Sequence, residues 1–196
     1  MSFIMDEVGI EDVVLVHRAL GGDDGAFRAL VLRYGDRLFR LCRSRLDSDE
    51  EAEDAAQDSF LRAYRSLGRF RLGESFAAWL FGIAVNRSRT RASQTAMETV
   101  KTARAASEAE VNAPGGDPAE AVEAEAEFQA LRAAVASLPD ELRLPVQLYY
   151  FAGLSVAEIS KERGLGAEAV KSRLFRARKK LRSILEDDNR GGDTEV

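Results

Sequence analysis

Residues Ser155–Arg182 read SVAEISKERGLGAEAVKSRLFRARKKLR. Ser155 with Glu158 three residues on forms a capping box, in which the serine accepts from a first-turn N–H and the glutamate reaches back. Ile159 continues the apolar face of this short helix, and Gly164 ends it in the turn. The helix that follows places Val170, Leu174, Ala177 and Leu181 at spacings of four, three and four, which is one buried stripe. Lys171, Phe175, Arg178 and Arg182 lie one step round, with Ser172, Arg176 and Lys179 beside them. A short capped helix, a glycine turn and a longer basic helix make the helix-turn-helix layout.

From Lys171 to Arg182 there are seven positive charges and no negative one. A helix face built only for solubility would interleave acids at three- or four-residue spacing. An unbroken cationic face behind a capped partner helix fits a phosphate backbone better than a plain solvated surface. Phe175 is either an edge-of-core residue or an apolar contact for a thymine methyl.

The chain as a whole is acidic, with 28 Lys+Arg against 33 Asp+Glu in 196 residues and a net charge of −5. That mean hides a strong segregation. Residues 1–96 carry −1, residues 97–127 carry −6 and residues 128–196 carry +2. The middle segment is rich in Ala and Glu, poor in large apolar residues and interrupted between Asn112 and Pro118 by prolines and glycines. It has little apolar surface to offset the entropy of ordering. It reads as a flexible acidic linker over 97–127, with the next helix beginning within 119–127. Two domains, 1–96 and 128–188, flank it, and a polar tail over 189–196 follows.

The two domains read as helical. The stretch 24–46 spaces Phe27, Leu30, Val31, Tyr34, Leu38, Leu41 and Cys42 by threes and fours. The stretch 49–67 repeats the pattern with Ala56, Phe60, Ala63, Tyr64 and Leu67, and 74–91 with Phe76, Leu80, Ile83 and Ala84, after a loop over 68–73. Leu131, Val135 and Leu138 lead into a helix ending at Gly153, and helices follow over 156–163 and 167–185. No segment alternates with period two. The expected fold is all-α: two small helical domains, a helical bundle and a helix-turn-helix domain.

Several function classes are excluded by composition. One cysteine, Cys42, leaves no disulfide and no multi-thiolate metal site, and one histidine, His17, leaves no Cys/His zinc site. There is no phosphate-cradling glycine loop and no nucleophile elbow, so no enzyme activity and no cofactor is expected. The longest uncharged apolar stretch, 76–86, is far shorter than a span of ~20 residues. With no leader at the start, a cytoplasmic location is expected.

Taken together, the motifs resemble a bacterial RNA polymerase sigma factor of the extracytoplasmic-function (ECF) group. The resemblance rests on Ala26–Phe27 to Leu41, on DAAQDSF from Asp54 to Phe60, and on WLFGIAVN from Trp79 to Asn86. It continues with Leu138–Pro139, Gly153–Leu154–Ser155 and VKSRLFRAR from Val170 to Arg178. It implies that 1–96 is the region-two domain and 128–188 the region-four domain. The partners implied are core RNA polymerase, promoter DNA and an anti-sigma factor, with no membrane insertion.

Residue by residue, the resemblance implies core-polymerase binding at Asp54, Gln57, Asp58, Leu61 and Arg62. It implies minus-ten DNA contacts at Arg69, Phe70, Arg71, Asn86, Arg87 and Arg91, with the loop 68–75 receiving a flipped base. The physical reading agrees: an unstacked base wants an aromatic or apolar surface with cations nearby. Minus-thirty-five DNA falls to Lys171, Ser172, Arg173, Phe175, Arg176, Arg178 and Lys179. Arg173, Arg178 and Lys179 are the expected phosphate contacts. Trp79 shares a stripe with Phe76, Leu80 and Ile83 and is read as core.

Two departures from the family pattern stand out. Gly82 occupies a position where relatives commonly carry a basic residue, and residues 87–93 lack the acid and aromatic usual after the asparagine. Both leave the minus-ten preference open. The melting segment is reduced to Trp79–Leu80, which points to melting restricted to well-matched promoters. The alternative reading is a helix-turn-helix regulator that binds DNA without polymerase, which would leave Asp54–Asp58 and the arginine–aromatic loop without a role.

Overall fold

The computed structural model describes residues 3–86 and 118–191; Arg87, Arg91, most of the acidic segment and the last five residues lie outside it. Every regular element among the described residues is helical.

Helix α1, Phe3–Leu20, was not among the expected elements. It is joined to α2, Asp24–Arg43, by a corner that Asp23 builds. One carboxylate oxygen of Asp23 accepts from the Ala26 N–H and caps α2, while the other accepts from Arg18 at 2.7 Å. The Arg18 hydrogen bond and the Ala26 N–H hold the Asp23 carboxyl below its ordinary value. The stripe of α2 buries Leu30, Tyr34, Leu38, Leu41 and Cys42. Each fully buried leucine contributes on the order of 2 kcal/mol.

Helix α3, Asp49–Ser66, starts at Ser48, whose hydroxyl accepts from the Glu51 N–H at 3.1 Å. Asp49, Glu50 and Glu51 in its first turn complement the helix dipole. Its inner face is small: Ala52, Ala55, Ala56, Ser59 and Ala63 are buried, with Phe60 among them. Phe60 and Tyr64 both meet Phe27 on α2 edge to face. Tyr64 was expected in the core stripe, but it is half-exposed and its hydroxyl donates to Asp24. A short 3-10 turn, Leu67–Arg69, leads through the loop to α4, residues 76–86, which buries Phe76, Leu80 and Phe81.

The first domain also has a polar element in its interior. Asp12 on α1 is almost fully buried and accepts hydrogen bonds from the Tyr34 hydroxyl and from Arg33 at 2.6 Å. Burial and the bond to Asp12 push the Tyr34 phenol far up, so it stays neutral and donates. This pairing fixes the rotation of α1 against α2.

In the second half, α5 runs Pro118–Ala136, so the helix occupies the last ten residues of the segment read as linker. Proline as the first helical residue is favourable because its absent N–H would be unpaired there. Helix α6, Asp140–Val146, contains Pro145, and the chain then widens into a π-helical turn, Gln147–Phe151. The single helix expected up to Gly153 is therefore divided: a turn at 137–139 separates α5 from α6, and the register widens only after Pro145, which lies inside α6 and has no N–H to give the preceding turn. Helices α7, Val156–Arg163, and α8, Ala167–Gly191, follow. The capping box is formed as read, with the Ser155 hydroxyl accepting from the Glu158 N–H and Glu158 accepting from the Ser155 N–H at 2.8 Å. Gly164 closes α7 at φ +62°, a left-handed conformation suited to glycine.

The two domains pack on each other, and one apolar cluster runs from Val16 through Leu80 to Leu154, Ile159 and Ala177. Arg37 on α2 donates to the carbonyls of Ala152 and Gly153, at 2.8 and 2.9 Å. Gln147 is buried, donates to the Ser44 carbonyl and accepts from Arg45. At the end of α2, Arg43 pairs with Glu125 and lies over the Phe128 ring, 4.2 Å from its centroid.

Candidate polymerase-docking and DNA-reading surfaces

Three surfaces carry the residues singled out above. The first is the outer face of α3. Asp54, Gln57, Leu61 and Arg62 are exposed there, and Asp58 is partly covered by its ion pair with Arg62 at 2.9 Å. Leu61 is 55% exposed among these charges. The inner face of α3 is given over to alanines, so the outer residues are held on a helix seated closely on α2. An exposed apolar anchor beside polar and charged side chains suits docking on a partner helix.

The second surface is the loop 68–75 with α4. Arg69 and Arg71 project into solvent on either side of Phe70. Phe70 departs from the expected arrangement, because its ring is buried and packs edge-on against Phe76 and at a tilt to Trp79, with centroids 5.8 and 5.4 Å away. It forms the floor of the loop instead of offering an open face for a base. Trp79 is partly buried on the same aromatic cluster, as a core-stripe residue should be, and it also walls an adjoining cleft. Ser75 caps α4, its hydroxyl accepting from the Ala78 N–H at 3.3 Å. Asn86 is exposed at the end of the described part of α4.

The third surface is α8. Val170, Leu174 and Ala177 are buried and Leu181 is partly so, matching the expected stripe. Lys171, Ser172, Phe175, Arg176, Arg178 and Lys179 are exposed, and Arg173 is half-buried. Phe175 is 63% exposed, so the edge-of-core reading fails and the ring stands outward among the cations. Lys171 pairs with Glu168 at 2.7 Å, one turn away, and Arg176 lies 3.5 Å from Glu141. Both are exposed pairs, easily exchanged for phosphate.

Chain-length patterning gave no hint of a fourth feature, the contact between α7 and the second surface. The Ser75 hydroxyl donates to Glu158 at 2.6 Å and Lys161 donates to the Gly73 carbonyl at 3.0 Å. Glu162 lies over Gly82: a Cβ at Gly82 would stand 3.2 Å from a Glu162 carboxylate oxygen. Burial raises the Glu162 carboxyl above its ordinary value, against a weak pull from Arg163 3.7 Å away. The second carboxylate oxygen is buried and receives no hydrogen bond among the described residues. A cleft of about 530 Å³ separates Trp79, Ile83 and Asn86 from Ala157 and Glu158.

Cys42 is buried, and burial pushes its thiol up to about 12, which leaves it unreactive near neutral pH. Among the described residues, no cluster of His, Cys, Asp or Glu is placed to hold a metal ion. No helix among them is long and apolar enough to cross a membrane.

The arrangement is that of a known family. Residues 30–96 match the family model of Sigma-70 region 2, and residues 128–181 match that of Sigma-70 region 4. The chain belongs to the ECF sigma factors. It is 31% identical to the ECF RNA polymerase sigma factor SigW of Bacillus subtilis, over 85% of this chain and 92% of that one. With the ECF RNA polymerase sigma-E factor of Escherichia coli strain K12 the identity is 33%, over 88% and 93%. Among solved structures, CnrH in complex with the cytosolic domain of CnrY is similar with a TM-score of 0.69 and 28% identity, covering 91% of this chain and 99% of that one. The sigma factor RpoE from Bartonella quintana, in complex with the anti-sigma factor NepR, shares the fold at a TM-score of 0.63 and 24% identity, over 82% and 96%. This sigma factor is accordingly a promoter-directing initiation factor of RNA polymerase and not an enzyme.

Proposed function

We propose that this sigma factor docks on core RNA polymerase through Asp54, Gln57, Asp58, Leu61 and Arg62 of α3. The loop cations Arg69 and Arg71, with Asn86 and the neighbouring Arg87 and Arg91, read and hold the minus-ten element. Phe70 supports that loop from beneath. Helix α8 enters the major groove at the minus-thirty-five element: Lys171, Ser172, Phe175 and Arg176 meet base edges, and Arg173, Arg178 and Lys179 hold phosphates. The domains so used are 1–96 and 128–188, joined by the acidic segment 97–127 and followed by the tail 189–196. The location is cytoplasmic, and an anti-sigma factor holds the protein inactive between signals.

The observation that carries this reading is the outward face of α8, where Phe175 and six cationic or hydroxyl side chains stand over a buried aliphatic stripe. The clustering of Asp54, Gln57 and Leu61 on a separate exposed helix supports polymerase docking over direct regulation of DNA. The test is run-off transcription with purified core polymerase and a promoter library. Promoter-specific transcripts are expected. Tight binding to free promoter DNA without capture of core polymerase would overturn the reading in favour of a free-standing regulator.

A further inference from the structure

A second cleft, of about 750 Å³, opens where the segment after α2 meets α5, α6 and the last residue of α7. Four arginines line it: Arg45 after α2, Arg132 on α5, Arg143 on α6 and Arg163 at the end of α7. None of the four belongs to the docking or DNA-reading sets above. Three acids share the lining, but they are turned to solvent. The Asp47 and Asp140 side chains are 89% and 94% exposed, whereas their partners Arg132 and Arg143 are 21% and 35% exposed. Glu141, the third, is exposed and lies 3.5 Å from Arg176 on α8. The covered charges of the cleft are positive and the solvated ones negative.

The guanidinium groups are positioned by neutral partners. Arg132 donates to the Leu46 carbonyl and Arg143 to the Leu138 carbonyl at 3.2 Å. Arg45 donates to the side chain of Gln147, which is itself buried and anchored on the Ser44 carbonyl at 3.2 Å. Such bonds fix the planar forks without neutralising them. The exposed carboxylates on Arg132 and Arg143 exchange for a stronger anion at little cost. Val85, Ala133, Ala136 and Leu144 add an apolar wall, against which a flat ring system fits. The volume is that of a small-molecule pocket and not of a groove for a duplex.

We propose that this cleft binds a nucleoside polyphosphate, with the phosphates held by Arg45, Arg132, Arg143 and Arg163 and the base against Val85 and Leu144. Guanidinium forks match phosphate oxygens two at a time, which a point charge cannot do. Arg45 belongs to the first domain and the other three to the second, so the bound anion touches both. The inference is independent of the DNA and polymerase assignments.

The test is calorimetric titration of the full chain with ATP and, separately, with inorganic tripolyphosphate. One saturable site for ATP is expected. Arg132→Gln combined with Arg143→Gln should weaken it by about tenfold or more, since two charge-assisted forks are lost. Arg178→Ala combined with Lys179→Ala, on the exposed face of α8, should leave ATP affinity unchanged. Tripolyphosphate should bind more weakly than ATP because it has no ring to lay on the apolar wall; equal affinity would overturn the nucleoside assignment.

The cleft arginines also hold backbone carbonyls, so a second measurement uses the unaltered chain. Photoactivated 8-azido-ATP should label peptides that contain Val85 or Leu144, read by mass spectrometry. Labels confined to 171–182, or ATP affinity lost with the α8 pair and kept with the cleft pair, would mean a general attraction of phosphate to α8 and overturn the site. Absence of saturable ATP binding to the unaltered chain would overturn it as well.

Discussion

Arg37 and Gly153 are 116 residues apart in sequence, and the guanidinium of the one donates to the carbonyl of the other at 2.9 Å. The same guanidinium lies over the rings of Tyr34 and Phe81, near 5.5 and 5.3 Å from their centroids. Gly153 has φ +65°, and a Cβ there would touch the guanidinium at 3.4 Å. Arg37 thus ties the aromatic core of the first domain to the turn that introduces the helix-turn-helix pair.

Arg37→Ala should loosen the joint while leaving each domain folded. Two charge-assisted bonds, one part-buried to Ala152 and one exposed to Gly153, contribute on the order of 2 kcal/mol together. Limited proteolysis should show faster cleavage between the domains, with helical circular dichroism unchanged. Loss of helix content would instead place Arg37 in the folding of the first domain.

Leu61→Asp should weaken capture of core polymerase by about tenfold or more, since the exposed apolar anchor becomes a charge that would have to be desolvated at the interface. The side chain is exposed, so the melting temperature should hold within a degree or two, on the scale of surface substitutions. Unchanged affinity for polymerase would remove α3 from the docking surface.

Arg178→Ala and Lys171→Ala should separate backbone holding from base reading. Arg178→Ala should weaken binding to all promoters alike and reduce the logarithmic salt slope by about 0.9. Lys171→Ala should alter preference at one or two positions of the minus-thirty-five element, at about 1–3 kcal/mol per base pair. A selection from randomised promoters at two salt concentrations reads both. Identical effects of the two variants would cancel the distinction.

Glu162 makes the packing of α7 on α4 dependent on pH. Its carboxyl is raised in the folded protein by burial, so the closed packing favours the protonated form. The charge weakens the packing fully once pH is above the raised value, and the penalty disappears below the ordinary glutamate value. Thermal melts should therefore show Glu162→Gln more stable than the parent at neutral pH, with the advantage vanishing in acid. A less stable Glu162→Gln at neutral pH would mean that the attraction of Arg163, 3.7 Å away, outweighs burial.

Ser155→Ala removes the cap of α7 and a partner of Glu158. It should cost about 1 kcal/mol, read as a lower denaturation midpoint.

The helices were legible because their signals are local. Asp49–Ser66 and Val156–Arg163 come out within a residue of the periodic stretches, since caps and apolar spacing act within a turn or two. Helix α1 is not evident from apolar spacing although Val16 and Ala19 are buried on it, because its interior face also carries a carboxylate, Asp12, whose burial Tyr34 and Arg33 make tolerable. The turn at 137–139 and the π-helical widening after Pro145 leave the apolar spacing intact, so the spacing reads as one helix up to Gly153. Among the candidate site residues, those on α3 and α8 lie outside the buried stripes, with Asp58 and Arg173 partly covered. Phe70 is not exposed, because Phe76 and Trp79 close over its ring.

By itself, the sequence determined that the chain is helical, that a capped helix-turn-helix pair carries an unbroken cationic face, and that the acidity lies in the middle segment. Those properties follow from residue type and spacing along one helix. The tertiary structure alone decided that the halves share one core, that Arg37 and Gln147 hold the joint, and that Glu158 and Glu162 cover the face beside Gly82. Periodicity says which side of a helix is apolar, but it does not say what will lie against it. The partners here are polar groups roughly 80 to 116 residues apart, brought together only by packing.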